Sequence, residues 1–338
     1  MHRSAIVGCG PRARDHAAAY AHITRGELVA LCDVDETRLN AFGDEFDVPA
    51  RYTSIEEMLA AEAPDVLHIG TPPAHRLDLL AAAVEHGVGG VIVEKPVALQ
   101  AEDYEAICRL PLGGTKVCLN HQLHFHSKVE EIRAAVRGGV IGEVRLVEVS
   151  ATLGLSGQGT HILQLASAFT DDVAPVSVFG QVGGAGWLDD SHPCPQQSVA
   201  VVSLADNTQI HLRCGSNGPA ATDGRPIHLN KRIVVYGTRG LAEWTMSSWE
   251  LHIGDAKTSG VHEYYAEDVH GQVGLTEALF DWLEDSSAVH PTNLAASLTQ
   301  FNVILGLYTS ALERRGVALP VEAGADLLGS LRTRLSAA

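Results

Sequence analysis

The sequence predicts an α/β chain in which an N-terminal doubly wound parallel sheet over residues 1–120 is followed, over 121–338, by an α+β part with a large, mostly antiparallel open sheet. Three observations predict it. Up to about residue 120, short apolar runs alternate with helical patterns. A glycine-rich turn separates the first run from the first helix. Beyond Val129–Val136 the runs lengthen and are joined by Gly-, Asn- and Asp-rich turns. A length of 338 residues, at roughly 150 per domain, fits two domains.

In order, the strand-like runs are Ser4–Val7, Leu28–Cys32, Val66–Ile69, Val91–Val93 and Lys116–Leu119. The helical patterns between them are Arg12–Ile23, Glu36–Phe46, Ile55–Ala61, Ala74–His86 and Ala101–Leu110. Runs that are apolar throughout belong to strands covered on both faces, which requires helices on each side of a parallel sheet. Pro11 suits a first helical turn, Asp35 and Ser54 are N-caps, Ser54 with Glu57 forms a capping box, and Gly87 follows a helix end. Strands Val144–Ser150, Ser198–Leu204, Thr208–Arg213 and Lys231–Tyr236 follow, and helices over about Leu275–Leu283 and Leu294–Arg314 close the chain.

Composition removes several function classes. With 46% hydrophobic and 19% charged residues the chain is globular in character, not disordered. A formal charge of -17 argues against nucleic acid as a partner. No run approaches the eighteen or so apolar residues of a membrane span, and Met1-His2-Arg3 leads directly into the first strand, so neither membrane nor leader is expected. Six cysteines without a C-x-x-C pair read as buried thiols in a reducing cytoplasm.

Gly8-Cys9-Gly10-Pro11-Arg12-Ala13 is an instance of G-x-G-x-x-A between a strand and a helix. Gly8 makes the tight turn, Gly10 lets backbone approach a pyrophosphate, and Ala13 packs the helix close to the sheet, the signature of a Rossmann dinucleotide site. Asp33, at the end of the second run, stands where a ribose-binding carboxylate belongs. It favours NAD over NADP, because its charge repels a 2′-phosphate; Arg38 nearby reads as a solvated helix residue. Val93-Glu94-Lys95-Pro96 ends another strand at the same sheet edge, where Lys95 would meet the substrate oxygen whose charge changes as hydride moves.

These residues, with His16, Thr71-Pro72-Pro73-Ala74-His75 and Glu94-Lys95-Pro96, resemble the Gfo/Idh/MocA oxidoreductases, named for glucose-fructose oxidoreductase, inositol dehydrogenase and rhizopine-catabolism proteins. Asn120 to His126 resembles the segment that crosses into the family's second domain. Gly138 to Glu143, Lys231 to Trp244 and Gly316 to Pro320 resemble later landmarks, so the likeness covers nearly the whole chain.

The resemblance implies a nicotinamide-binding domain, a substrate and oligomerisation domain whose C-terminal helices pack back toward the first, and homodimers or homotetramers formed through the open sheet. It places Gly8, Cys9, Gly10, Pro11, Arg12, Ala13, Asp33, Thr71, Pro72, His75, Glu94 and Lys95 at the cofactor. His121, His124, Gln158, Gln164 and Trp187 join Lys95 and His161 as substrate residues, and Lys95 and His161 are the catalytic pair. The family's usual Asp four residues before that His is Gly157 here, so Gln158, Gln164 or the substrate is left to orient His161. His121, His124 and His126 lack a neighbouring Cys, Asp or Glu, so no metal is expected. His68, inside an apolar run, reads as a satisfied core histidine.

The implied activity is NAD(H)-dependent interconversion of a secondary alcohol and a ketone on a sugar, cyclitol or related polyhydroxylated ring. The alternatives are an NAD-dependent glycosidase of the same family and a catalytically silent dinucleotide-binding regulator.

Overall fold

The computed structural model describes residues 1–221, 226–322, 324 and 326–337. They form two compact units. Unit 1 comprises Met1–Ala98, Asp103–Phe125 and Glu267–Ser297, and unit 2 comprises Leu99–Glu102, His126–Ala266 and Leu298–Ala338.

Along unit 1 run β1 (His2–Val7), α1 (Ala13–Ala19), β2 (Gly26–Cys32), α2 (Glu36–Glu45), β3 (Ala50–Tyr52), α3 (Ile55–Glu62), β4 (Val66–Ile69), α4 (Arg76–Glu85), β5 (Gly90–Val93), most of α5 (Ala101–Arg109) and β6 (Lys116–Leu119). The six strands are parallel in the order β3-β2-β1-β4-β5-β6, so the chain reverses its direction of build between β1 and β4. In open sheets of this kind ligands lie at the carboxyl edge beside that reversal. β4 and β5 are buried at every residue, as expected for strands covered on both faces.

Local signals explain the helix limits. Asp35 accepts from Arg38 N–H and Ser54 Oγ from Glu57 N–H, so both caps form; Ser54 Oγ in turn donates to Glu56. Gly87, at φ +68°, closes α4 with a residue that tolerates the left-handed region. α1 starts at Ala13 and ends at Ala19, shorter than Arg12–Ile23, and Pro11 lies in the turn before it.

Further along the chain come α6 (Ser127–Arg137), β7 (Val144–Ala151), α7 (Thr160–Phe169), β8 (Pro175–Gly183), β9 (Gln197–Leu204), β10 (Gln209–Gly215), β11 (Lys231–Gly237), β12 (Gly240–Thr245), β13 (Ser248–Ile253), β14 (Ala256–Val261), α8 (Tyr264–Glu284), α9 (Leu294–Glu313), β15 (Val317–Ala318) and α10 (Leu327–Ser336).

Most of α8 belongs to unit 1. Its Leu275, Leu279 and Phe280 bury with Ala19, Ile23, Val66, Ile92 and Cys118. Gly271 and Gly274 permit the approach, since a Cβ would stand 2.7 Å from Gln122 O at the first and 3.0 Å from Phe125 Cβ at the second. Arg25, ahead of β2, reaches Glu277 at 2.6 Å and Asp281 at 2.8 Å on the same helix.

Unit 2 is organised on a nine-stranded sheet in the order β14-β13-β12-β11-β7-β10-β9-β8-β15, antiparallel except for β10 against β7. One face is apolar, with Val147, Val149, Ala200, Val202, Ile210, Leu212, Ile233 and Val235 all buried. α7 lies against β7 and β11, and nine of its ten residues are buried.

No helix among the described residues is long and apolar enough to cross a membrane, and no group of three or more His, Cys, Asp or Glu among them is placed to hold a metal ion. His124 lies in a 3-10 turn, Gln122–Phe125, and His126 is the N-cap of α6.

Candidate active site

Four strand ends of unit 1, those of β1, β4, β2 and β5, build the site. After β1, Gly8 takes φ +88°, and a Cβ there would stand 2.7 Å from Thr71 Cγ2. Gly70, which the sequence reading did not single out, answers it: its own Cβ would meet Gly8 O at 3.0 Å and Ala13 Cβ at 3.3 Å. The two turns therefore touch through backbone, for which glycine is required. Above Gly10 nothing lies within 4 Å of where a Cβ would be, so the loop keeps open space where a pyrophosphate would approach. Thr71 Oγ1 is buried without a hydrogen-bond partner. This cradle, with Asp33 at the end of β2, fits a dinucleotide. Ala13 N–H is not free for a phosphate, because it returns to Gly10 O at 3.1 Å.

Cys9 is buried, and burial followed by the charge of Asp33 pushes its thiol up to about 12, so it contributes backbone and not a reactive sulfur. Its N–H donates to Asp33 Oδ2 at 2.7 Å. Burial works to raise the Asp33 carboxyl, but hydrogen bonds from Arg38 and from the N–H groups of Asp35 and Cys9 outweigh it and hold the group below its usual range. Arg38 is thus more than a solvated helix residue: exposed as it is, its Nε and Nη2 grip both Asp33 oxygens at 2.9 and 2.7 Å. Spacing gave no sign of that pairing, because Arg38 sits on the turn of α2 that also caps on Asp35.

The end of β5 carries Glu94 and Lys95. Glu94 Oε1 accepts from Asn120 Nδ2 at 2.6 Å and from His16 Nε2 at 3.1 Å, and Arg12 Nε lies 3.7 Å away. Although burial alone would raise this carboxyl, His16, Arg12 and Lys95 together keep it well below the usual carboxylate range. Glu94 is therefore a fixed buried anion, tied through Arg12 to the glycine loop.

Behind it, His16 Nδ1 meets His68 Nδ1 at 2.9 Å, and His68 Nε2 meets Tyr20 OH at 2.7 Å. Burial, then the neighbouring His16, holds His68 well below the usual imidazole value, so it is neutral and has one donor and one acceptor nitrogen. Gln272 Nε2 faces His16 Nδ1 at 3.4 Å. Tyr20, His68, His16 and Glu94 thus form one continuous buried hydrogen-bonded run, which Asn120 Nδ2 joins at 3.0 Å from His16 Nε2. His68 is the satisfied core histidine expected. Tyr20 and Gln272 were not anticipated, since neither lies in a motif and Gln272 is 256 residues from His16.

Lys95 keeps part of its surface, yet burial lowers its ammonium to about 8, with Glu94 opposing the shift and Arg12 and Arg76 adding to it. Arg76, fully buried at the start of α4 and absent from the sequence reading, donates to Lys95 O at 3.2 Å. His121 is buried in the same unit and lowered to about 3, by burial first and then by Lys95. His124 is also buried there, whereas Pro72 and His75 are exposed and Pro11 and Arg12 lie on the outer side of the loop.

The remaining expected residues belong to unit 2. A five-residue π-turn, Leu155–Gly159, runs into α7, whose second residue is His161; Gln164 follows on the same face, and both are buried. At Gly157 a Cβ would meet nothing within 4 Å, so the missing carboxylate leaves open room. Gln158 Oε1 is buried without a hydrogen-bond partner. The Trp187 ring packs beside Gly154, where a Cβ would stand 3.3 Å from Trp187 Cε3.

Residues 2–118 match the model of the Gfo/Idh/MocA oxidoreductase family, NAD-binding Rossmann fold. A D-apiose dehydrogenase from Paraburkholderia graminis is 32% identical over 190 residues, covering 51% of this chain and 50% of that protein. A D-glucoside 3-dehydrogenase from Escherichia coli is 30% identical over 152 residues, covering 44% of this chain and 43% of its own. The chain thus spans about half the length of these curated relatives. In fold, the chain is similar to an oxidoreductase from Agrobacterium radiobacter solved with NAD+, L-tartaric acid and magnesium, with a TM-score of 0.80 at 18% identity over 98% of this chain and 99% of that one. Residues 2–118 thus match the NAD-binding Rossmann fold of the Gfo/Idh/MocA oxidoreductase family.

Proposed function

We propose that the chain is an NAD(H)-dependent oxidoreductase that interconverts a secondary alcohol and a ketone on a sugar, cyclitol or related polyhydroxylated ring. The observation that carries this reading is the end of β5: a lysine lowered to about 8 beside a fixed carboxylate, joined through Arg12 to a loop shaped for a dinucleotide. The sugar dehydrogenases among its relatives support the substrate class. Bound NAD(H) supplies the hydride acceptor or donor.

The chain's own part is the proton. In the oxidising direction neutral Lys95 Nζ accepts the hydroxyl proton as the carbon gives up hydride, and in the reducing direction the ammonium returns it. His121, held neutral, and His124 are substrate hydrogen-bonding groups of unit 1. His161, Gln158, Gln164 and Trp187 have that role in unit 2, where His161 is a second proton-handling group. The test is a panel of sugars and cyclitols followed by nicotinamide absorbance. Wild type should give a substrate-dependent change; no change across the panel would refute the reading.

Two outcomes refine it. Because Glu94 raises the Lys95 value, Glu94→Gln should let it fall, moving the rising limb of the oxidation pH profile below about 8. A limb that stays in place would separate Glu94 from the proton step. His161→Ala should lose less kcat than Lys95→Ala, as His161 lacks the carboxylate that Gly157 replaces; an equal or greater loss would make it the principal proton carrier.

The open face of the nine-stranded sheet carries Phe179, 53% exposed, and Val199, 38% exposed. It is proposed as the contact of a cytoplasmic homodimer or homotetramer, and a Phe179→Asp variant that leaves the sedimentation mass unchanged would remove it.

A further inference from the structure

Arg76 opens α4 with 2% of its surface exposed, and its Nη2 donates to Lys95 O at 3.2 Å. Nε and Nη1 are buried with no hydrogen-bond partner among the described residues. The carboxylate that faces it, Glu94, already accepts through Oε1 from Asn120 and His16. Burial pulls the guanidinium down to about 10, with Glu94 opposing the shift, so it is still a cation where Lys95 titrates. A buried cation with two unsatisfied nitrogens works against folding. An apolar side chain of similar length would fill the same place without that penalty.

Its hydrogen bond goes to the residue whose amine handles the proton. Lys95 is faced by Glu94 from its own strand end, by Arg12 from the loop after β1, by Arg76 from α4 and by His121 from beyond β6. His121 is neutral, so one anion stands against two cations. The Arg12 side chain is 47% exposed and lies 2.9 Å from Asp15, so water and a carboxylate blunt its field. Arg76 is shielded from both. A like charge held in so dry a place is felt strongly, and it favours the neutral amine.

Resting on the reading of Lys95 as the proton carrier, we propose that Arg76 is a positioning residue for it. The guanidinium fixes the Lys95 carbonyl and stands as a permanent buried cation against Glu94, so that the amine gives up its proton readily enough to serve as a base. Glu94 and Arg76 are opposed settings of one group. The carboxylate keeps the ammonium from losing its proton too early, and the arginine keeps it from holding on too long. A charge that weakens the fold is kept because the proton step needs it.

The test is an NMR titration of cofactor-free protein, isotopically labelled at the lysine Cε carbons, in wild type, Arg76→Met and Arg76→Gln. The chain has five lysines, Lys95, Lys116, Lys128, Lys231 and Lys257, and the Lys95 signal is the one missing from Lys95→Ala. In both Arg76 variants its midpoint should rise by roughly 0.5 in pH or more, since both lose the charge. Arg76→Gln keeps a donor for Lys95 O, so a midpoint that it returns to the wild-type value would assign the effect to the hydrogen bond and overturn the proposal. The rising limb of the oxidation profile should move with the midpoint. Turnover at pH 7 should fall about threefold, and the loss should shrink once the pH passes the new limb. Arg76→Met should melt no lower than wild type, the reverse of what a structural arginine would show. A midpoint unmoved in the folded variants would overturn the proposal, whatever the melting temperature does. Failure of the reading beneath it looks different: Lys95→Ala that oxidises alcohol as fast as wild type would remove the proton carrier itself, wherever its signal titrates.

Discussion

Lys95→Ala is expected to lower kcat for alcohol oxidation by about 10²- to 10⁴-fold, the range for a positioned acid or base, while NADH affinity changes little. Lys95 is the one amine at the end of β5, and its value near 8 makes it useful in both directions. At pH 7 about a tenth of it is neutral and able to accept a proton; by pH 9 about nine tenths is. Oxidation should therefore rise through pH 8 and reduction should fall. Lys95→Arg sharpens the test, since a guanidinium keeps its proton at every accessible pH. That variant should lose oxidation and show no limb near 8. Turnover near wild type in either variant would remove Lys95 from the mechanism.

Gly8→Ala is expected to cost both folding and cofactor. At φ +88° an L-residue is strained, and the added methyl stands 2.7 Å from Thr71 Cγ2 and 3.0 Å from Thr71 N. A loss of about 1–3 kcal/mol in stability follows from the backbone alone. Displacing the Thr71 turn also closes the cradle, so NADH affinity should fall by more than about tenfold. Thr71→Ser removes the nearer of the two clashing atoms. The double variant should recover part of the binding, but not all of it, because the amide nitrogen remains. A Gly8→Ala protein with unchanged melting temperature and NADH affinity would show that the two turns do not depend on one another.

Unit 1 was readable because its signals are local. Gly8, Asp33 and Lys95 each stand at a strand end marked by an apolar run, and buried parallel strands cannot hide such runs. β3 escaped notice because three half-buried residues, Ala50–Tyr52, carry no pattern. β14, Ala256–Val261, is an edge strand exposed along most of its length, so no alternation exists to find. α8 begins at Tyr264, eleven residues before the apolar stretch that betrayed it, because its first half is polar and holds the glycines that fit against Gln122 and Phe125.

The site divides the same way. Motif residues could be named from spacing, whereas Arg38 on Asp33 and Gln272 on His16 depend on rotamers and on chain segments brought together only by folding. Arg76 gave no signal beyond being an arginine at a helix start, and Gly70 gave only its small size beside Thr71.

The buried anion beside Lys95 has a consequence for charge at the end of β5. Against the effect of burial, His16, Arg12 and Lys95 keep the Glu94 carboxyl well below the usual carboxylate range, whereas burial brings the lysine to about 8, so across the neutral range the charge that changes there is the lysine's and not the glutamate's.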